Sequence, residues 1–312
     1  MDKRRARRER RRVFLLILAD FLALVIVMDV FALFHHVLPH AVGNRYGRTP
    51  GGDPATFDFP GRFTGGEAEE WTDETGALRY RDASLDLTLY KMQWAGSACT
   101  VADFYLKDLA RFRTAFASGD FVTGEAAATV DMARANGALL AASGDYCGIR
   151  QRSVVIRNGL VYRKTRAHEI CVLYRSGVME TYSFASFDVD RAVAGGAWQA
   201  WDFGPRLLDE NGTARTEFSP GIAGPNPRML LGYFEPGHYC VAAVDGRQAL
   251  SPGLTLAECA SLMESLGCRA AYNLDGGHSA VMTWRGDVVN VPSKAGGRDI
   301  SDILYLAGGD GS

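Results

Sequence analysis

The sequence predicts an α+β fold: a mixed β-sheet core with a few packed helices, preceded by one N-terminal transmembrane helix. Short segments with alternating apolar residues or hairpin turns recur through most of the chain, as expected of strands. Few segments have helical spacing, the clearest being residues 124–136 and 255–266. A single long apolar segment, residues 13–34, lies near the N-terminus.

Composition is consistent with one large globular domain plus appendages. The chain has 312 residues, an apolar fraction of 47% and 35 glycines, which suits a loop-rich fold with a substantial core. The formal net charge of −2 argues against a nucleic-acid partner for the chain as a whole.

The N-terminus has the organisation of a signal anchor. Residues 3–12 of the basic tail (1–12) contain eight Lys or Arg. The apolar residues 13–34 span about 33 Å as a helix, enough to cross the hydrocarbon core, and we predict a transmembrane signal anchor over residues 13–38. The positive-inside rule then places the N-terminus in the cytoplasm and the remaining chain outside the cell membrane. Asp20 and Asp29 interrupt the span, either as contacts for a partner helix or as tolerated polar residues.

A linker is predicted over residues 39–81, which are rich in Gly, Pro and acidic residues, and a folded domain over residues 82–308. The six cysteines lack any metal-binding spacing, so we expect no zinc site. Disulfides are permitted outside the membrane, but Cys240 in an apolar strand and Cys259 on a helix face favour buried thiols.

The first half of the domain starts with a strand in which Leu85, Leu87 and Leu89 share one face. Residues 101–112 fit either a strand followed by a helix or a helix throughout. A helix is predicted over 124–136, and the apolar residues that follow it predict a buried strand ending near Ser143.

Hairpins and one capped helix are predicted further along. Asn158-Gly159 fits a type I′ turn within residues 153–163, and residues 168–184 form a second hairpin around a Ser-Gly turn. A short helix near 187–194 and a long loop, 202–228, follow. Thr255 and Glu258 form a capping box at the start of the helix 255–266.

Residues 268–284, CRAAYNLDGGHSAVMTW, contain the most informative motif. They predict a strand, an acidic glycine turn and a second strand. Glycine amides without a Cβ nearby can form a nest for an anion, and Asp275 beside them can act as a base, a nucleophile or a metal ligand. The alternative is a β-hairpin whose Asp-Gly pair only turns the chain.

The motifs around this segment occur in a characteristic order. HYCVAAVDGR (238–247) precedes a helix, NLDGG follows it, and GGRDISDILYL (296–306) comes last. With SGDY and the FGP segment upstream, this order resembles the phosphodiester glycosidase family, strongly over residues 226–306 and more faintly back to about residue 85. Many members have Gly where His278 stands and Asn where Ser143 stands.

The resemblance implies hydrolysis of a sugar-1-phosphodiester at the glycosidic bond, with Asp275 as the catalytic carboxylate. A carboxylate suits an oxocarbenium-like centre, either as a base for water or as a nucleophile. Asp145, at another strand-to-turn junction, is the second candidate carboxylate. His278 is a candidate proton carrier beside Asp275, or simply a polar surface residue.

The same resemblance implies a carbohydrate phosphodiester as the substrate. Arginine binds phosphate through a planar fork, and glycine amides can add to the clamp. The candidate substrate-binding and phosphate-binding residues are Arg228, Arg298, Asn273, Gly276, Gly277, Ser279 and Asp245. No cofactor is expected.

The expected function is a membrane-anchored, extracytoplasmic glycosidase acting on cell-envelope or exopolysaccharide glycans. Two alternatives remain open. One is a non-catalytic glycan-binding or assembly protein of the envelope, suggested by the departures at His278 and Ser143. The other is a phosphodiesterase that cuts P–O, although the sequence contains no two-metal cluster of His and carboxylate residues.

Overall fold

The computed structural model describes residues 3–33, 40–41, 43 and 46–308. The chain divides into two compact units, Met1–His40 and Ala41–Ser312. Residues 34–38 of the predicted anchor lie outside the described residues, as do the first two residues of the basic tail.

The first unit contains one long helix, α1 (Lys3–Ala32). Within it, Arg7–Phe31 is long and apolar enough to cross a membrane. A signal sequence near the N-terminus has the same length and composition, so this helix is a candidate span. Asp20 and Asp29 both lie on it.

The described residues contain nineteen strands and four further α-helices. In chain order the strands are β1 (His40–Ala41), β2 (Glu69–Thr72), β3 (Leu78–Arg81), β4 (Leu85–Trp94), β5 (Ser97–Leu106), β6 (Phe112–Phe116), β7 (Val122–Thr123), β8 (Ala138–Ser143), β9 (Ser153–Arg157), β10 (Leu160–Thr165), β11 (Ile170–Tyr174), β12 (Met179–Tyr182), β13 (Ala197–Trp201), β14 (Arg228–Glu235), β15 (His238–Val244), β16 (Ala270–Leu274), β17 (Met282–Trp284), β18 (Asp287–Val288) and β19 (Asp302–Ala307). The helices are α2 (Thr129–Ala135), α3 (Val189–Ala194), α4 (Pro220–Ala223) and α5 (Leu256–Ser265). Many strands and few helices confirm the predicted α+β fold.

Three sheets account for most of these strands. A seven-stranded antiparallel sheet has the order β16-β14-β15-β5-β4-β3-β2. Two five-stranded sheets have the orders β10-β9-β13-β11-β12 and β18-β17-β8-β19-β6. The folded region starts before residue 82, because β2 and β3, within the predicted linker, extend the seven-stranded sheet. Each strand has only four residues, EEWT and LRYR, which is too short for a clear periodic pattern.

The main core lies between the seven-stranded sheet and the other two sheets. Val241 and Phe104 of the first sheet pack in one cluster with Leu140 and Trp201 from the five-stranded sheets. The opposite face of the seven-stranded sheet packs against α5, through residues such as Leu230 and Met263. The α5 capping box between Thr255 and Glu258 is confirmed.

Several local predictions are confirmed and others are wrong. Asn158 and Gly159 both have positive φ, 51° and 74°, between β9 and β10, as a type I′ turn requires. Residues 101–112 are not helical throughout, since β5 runs to Leu106 and only a 3-10 turn, Leu109–Arg111, follows. In this part of β5, Ala102, Phe104 and Leu106 are buried whereas Asp103 and Tyr105 are only partly buried, as expected of a strand.

The segment 268–284 is not a β-hairpin. β16 belongs to the seven-stranded sheet, whereas β17 belongs to the five-stranded sheet that contains β8 and β19. Between them, Gly277–Ser279 forms a 3-10 turn. The Asp-Gly-Gly sequence therefore carries the chain from one sheet to another, and Asp275 lies at that junction.

Candidate active site

Three strand ends meet at the sheet junction. The Asp275 N–H, just after β16, donates to the Gly144 carbonyl just after β8, at 3.0 Å. The Gly144 N–H donates to the carbonyl of Asp302, the first residue of β19, at 2.9 Å. The Ser143 hydroxyl donates to the Asp275 carbonyl at 3.3 Å. The backbone of Asp275 is therefore held by two residues at the end of β8, and one of these, Gly144, is in turn held by β19.

The Asp275 side chain is buried and paired with a cation. Arg298 Nη2 lies 2.8 Å from Asp275 Oδ2, and Arg298 Nε donates to Ser279 Oγ at 3.0 Å. Burial raises the pKa of Asp275, while the hydrogen bond from Ser279 and the charge of Arg298 oppose the rise. The Asp275 carboxylate is therefore mostly shielded from solvent, and the partly exposed Arg298 guanidinium lies between it and the solvent.

Arg298 has a free face toward solvent. Its side chain is 42% exposed, and its guanidinium lies over the Tyr146 ring, 4.6 Å from the centroid. Within the described residues, hydrogen bonds engage its Nε and Nη2, which leaves Nη1 for an anion. Tyr146 has a φ of 62°, a conformation that is costly for a residue with a side chain.

Arg150 supplies a second guanidinium close to Asp275. Its positive charge is among the influences that lower the pKa of Asp275. It lies 4.4 Å from the Phe203 ring centroid, and its Nη1 is 2.9 Å from His168 Nδ1. Phe203 comes from the predicted long loop 202–228, so this loop does line the site.

Behind the site lies a fully buried ion cluster. Arg157 Nη2 is 2.7 Å from Asp145 Oδ1 and 3.0 Å from Asp302 Oδ2. Burial and the neighbouring Asp145 charge raise the pKa of Asp302 to about 6, against the opposing effect of Arg157. Burial alone would lower the pKa of Arg157, but the two carboxylates raise it above its usual value.

This cluster accounts for Asp145, the predicted second catalytic carboxylate. Its side chain has no exposed surface, and its Oδ2 accepts a hydrogen bond from the Asp202 N–H at 2.9 Å. The adjacent Gly144 packs tightly on the cluster, since a Cβ there would lie 2.3 Å from Asp302 Oδ2. The structure therefore places Asp145 where it supports the junction, not where a substrate could touch it.

Asp145, Cys147 and Asp302 are also the group of described residues best placed to hold a metal ion, with ligand atoms within 4.8 Å of one another. However, the Arg157 guanidinium already lies between the two carboxylates. Burial raises the pKa of the Cys147 thiol well above its usual value, with further contributions from Asp302 and Asp145. This donor set fits an internal ion pair better than a cation.

The other turn residues are close to Asp275 but are engaged internally. The Gly277 N–H donates to the Pro227 carbonyl at 2.8 Å, so this amide is not free for phosphate. Gly276 precedes it at the N-cap of the 3-10 turn. Asn273 is buried and donates from Nδ2 to the Gly204 carbonyl at 2.8 Å, while its Oδ1 has no hydrogen-bond partner among the described residues.

Two predicted binding residues do not join the site. Arg228 donates from Nη2 to the carbonyls of Ile222 and Gly224, both at 2.7 Å, and burial lowers its pKa. Asp245 Oδ1 accepts from the Val291 N–H at 2.9 Å, and burial raises its pKa. Both side chains hold loops in place, and neither contacts Asp275 or Arg298.

His278 is exposed, and its Nδ1 lies 3.1 Å from Ser293 Oγ. Its ring makes no hydrogen bond to Asp275 within the described chain. Its carbonyl accepts the Arg298 N–H at 2.9 Å, so its backbone positions the segment that carries the arginine.

Three residues of the site were absent from the sequence predictions: Arg150, Arg157 and Asp302. Arg150 lies four residues after the recognised motif SGDY, and Asp302 is the last residue of GGRDISD. A charged residue in or near a glycine-bearing motif was the available signal. Arg157 gave no such signal, because its strand SVVIR has the pattern of an ordinary buried strand.

Comparison with known proteins identifies the family. Residues 132–307, which include the junction, match the family model for phosphodiester glycosidases. The SPbeta prophage-derived uncharacterized protein YomE of Bacillus subtilis is 30% identical over 159 residues, covering 49% of this chain. The alignment spans only 25% of YomE.

A solved structure with a TM-score above 0.5 shares this fold. The zebrafish N-acetylglucosamine-1-phosphodiester alpha-N-acetylglucosaminidase catalytic domain, auto-inhibited by its pro-peptide, superposes with a TM-score of 0.56 and 16% identity. The match covers 87% of this chain and 88% of that one. A hypothetical protein from Synechocystis gives a TM-score of 0.49 and 12% identity over 73% of this chain and 65% of its own. On the family match, this chain belongs to the phosphodiester glycosidase family.

Proposed function

We propose that the chain hydrolyses the glycosidic bond of a sugar-1-phosphodiester, with Asp275 as the acting carboxylate. The observation that carries the proposal is the Asp275–Arg298 ion pair at the sheet junction, at 2.8 Å. It combines the two groups this reaction needs, a carboxylate for the anomeric carbon and a guanidinium for the phosphate. Family membership supports a reaction of the glycosidase type.

Asp275 acts on the anomeric carbon or on the attacking water. As a base it takes a proton from water, and as a nucleophile it forms a glycosyl ester that water then hydrolyses. The departing phosphate monoester is a stable anion, so the reaction depends little on a general acid. This is consistent with a site in which His278 does not contact the carboxylate.

Arg298 and Arg150 bind the phosphate. A phosphodiester is an anion, and a second negative charge at Asp275 would repel it. Arg298 is already bonded to the carboxylate and has Nη1 unengaged by the described residues, so it can bridge the two anions. Arg150, whose charge acts on Asp275, adds a second cation near the site. The phosphate clamp thus consists of Arg298 with Arg150, in place of the predicted Arg228.

The remaining predictions concern location and substrate. The basic tail and the apolar helix α1 support anchoring in the lipid bilayer, with the catalytic unit outside the cell membrane. Asp20 or Asp29 would then be available to a partner helix. An extracytoplasmic site suits glycans of the cell envelope or exopolysaccharide, and a carbohydrate phosphodiester is the expected substrate.

Hydrolysis in water enriched in the heavy oxygen isotope tests the proposal. The full chain in detergent is incubated with a panel of sugar-1-phosphodiesters that begins with N-acetylglucosamine-1-phosphodiesters. The masses of the products are then measured by mass spectrometry. Label in the released sugar supports C–O cleavage, whereas label in the phosphate shows a phosphodiesterase. Binding without turnover across the panel would indicate a glycan-binding protein, and the Asp275→Asn variant is the control for contaminating activity.

A further inference from the structure

Two cysteine sulfurs meet on the outer face of the seven-stranded sheet. Cys240 lies on β15 and Cys268 lies two residues before β16, and β14 runs between those two strands. Cys240 Sγ and Cys268 Sγ are 3.8 Å apart. Both residues are buried, at 0% and 4% exposure. The other four cysteines make no such sulfur–sulfur contact within the described chain.

A glycine makes this contact possible. Gly232 on β14 is in register with Cys240 on one side and with Ala271 on the other. A Cβ at Gly232 would lie 2.6 Å from Cys240 Sγ and 2.7 Å from Cys268 Sγ. Because Gly232 has no side chain, there is space above β14 for the two sulfurs to approach each other.

We propose that Cys240 and Cys268 form a disulfide when the chain folds in the presence of a disulfide oxidant, such as oxidised glutathione or a protein disulfide oxidase. The thiolate of one cysteine attacks the oxidant disulfide and releases one thiol, giving a mixed disulfide. The second cysteine attacks the protein sulfur of that intermediate and releases the other thiol. The two cysteines lose two protons and two electrons, and the oxidant is reduced to two thiols.

The two sulfurs are close to each other but are not yet at bonding distance. A disulfide has a sulfur–sulfur distance of about 2.05 Å, so the sulfurs must approach by about 1.8 Å. Because the thiolate is the reactive form and burial disfavours it, the bond forms during folding, before the pair is enclosed. The product ties β15 to the segment that precedes β16, the strand that Asp275 directly follows.

Thiol counting tests the proposal without any substrate, so its outcome is independent of the proposed reaction. The full chain is folded with oxidised glutathione, denatured and treated with iodoacetamide, with and without prior reduction. We expect four alkylated cysteines before reduction and six after it, with peptide mapping showing the Cys240–Cys268 link. Six alkylated cysteines before reduction, or a disulfide between any other pair, would overturn the proposal.

Two variants sharpen the result. Cys240→Ala should give five alkylated cysteines both before and after reduction, whereas Cys171→Ala, a buried control, should give three and five. The oxidised wild-type chain should also unfold at a higher temperature than the reduced chain, and Cys240→Ala should lose this difference. If the reductant lowers the unfolding temperature equally in wild type and Cys240→Ala, the Cys240–Cys268 disulfide is contradicted. If a variant fails to fold, the number of alkylated cysteines in wild type decides the question.

Discussion

The buried cluster behind Asp275 makes stability depend on pH in an unusual direction, and Asp302→Asn should remove the effect. The pKa of Asp302 rises from 3.8 to about 6 in the folded chain because of burial and the Asp145 charge. At about 1.4 kcal/mol per pKa unit, ionising this group costs the folded state about 3 kcal/mol relative to the unfolded state. Between about pH 4 and pH 6 the folded chain binds more protons than the unfolded chain, so this contribution to stability is lost as pH rises.

The measurement compares urea unfolding of the full wild-type chain and Asp302→Asn in detergent, at several pH values from 4 to 7. Tryptophan fluorescence reports on the second unit, Ala41–Ser312, since the five tryptophans all lie outside α1. Asn does not titrate, so the free energy of unfolding of the variant minus that of wild type should increase by about 3 kcal/mol over this range. Other carboxylates with a raised pKa, such as Asp275, contribute to both proteins and cancel in the difference. A difference that stays constant with pH would refute the assignment of a raised pKa to Asp302.

Four further variants test the site. Asp275→Asn should lower kcat by at least about 100-fold, about 2.7 kcal/mol in the barrier, with an unchanged melting temperature, and a wild-type rate in the sugar-release assay would remove it from the mechanism. Arg298→Lys keeps the charge but loses the planar fork, so KM for the phosphodiester should rise about tenfold, and an unchanged KM would argue against phosphate contact. His278→Gly should keep kcat within about twofold, since its ring does not contact Asp275, and a 100-fold loss would make it the proton carrier. Gly144→Ala places a Cβ against Asp302 and should destabilise the chain by at least about 2 kcal/mol in urea unfolding, whereas wild-type stability would show that the junction can relax.

Local patterns were enough to predict the elements around the junction. The turn at Asn158-Gly159 and the capping box at Thr255 are decided by residues close in sequence, and the structure contains both. Asp275 and Arg298 were both named as candidate site residues because they lie in recognisable glycine-rich motifs, whereas their ion pair is visible only in the structure. What such motifs do not reveal is the sheet to which a strand belongs, and so the segment 268–284 resembled a hairpin.

Side-chain direction limited the rest of the site prediction. Arg228 begins a strand, and period-two alternation assigns it to one of two faces without saying which face borders the site. In the structure it shares the face of Leu230, toward α5, and its charge is satisfied by loop carbonyls. Arg157 was missed for the converse reason, since an arginine in a buried strand is identifiable only when its carboxylate partners, distant in sequence, are known.

At the junction between the sheets, the residue that is held in place and the residues that surround it lie on different kinds of segment. Asp275 is held by hydrogen bonds to the end of β8, a strand paired within its own sheet, where little change is tolerated. Arg298 and Phe203 instead lie on long connections, where insertions and substitutions are accommodated more easily. Under the proposed function, loop changes could therefore exchange one sugar or acceptor for another while Asp275 keeps its position, so one scaffold could serve many phosphodiester-linked glycans.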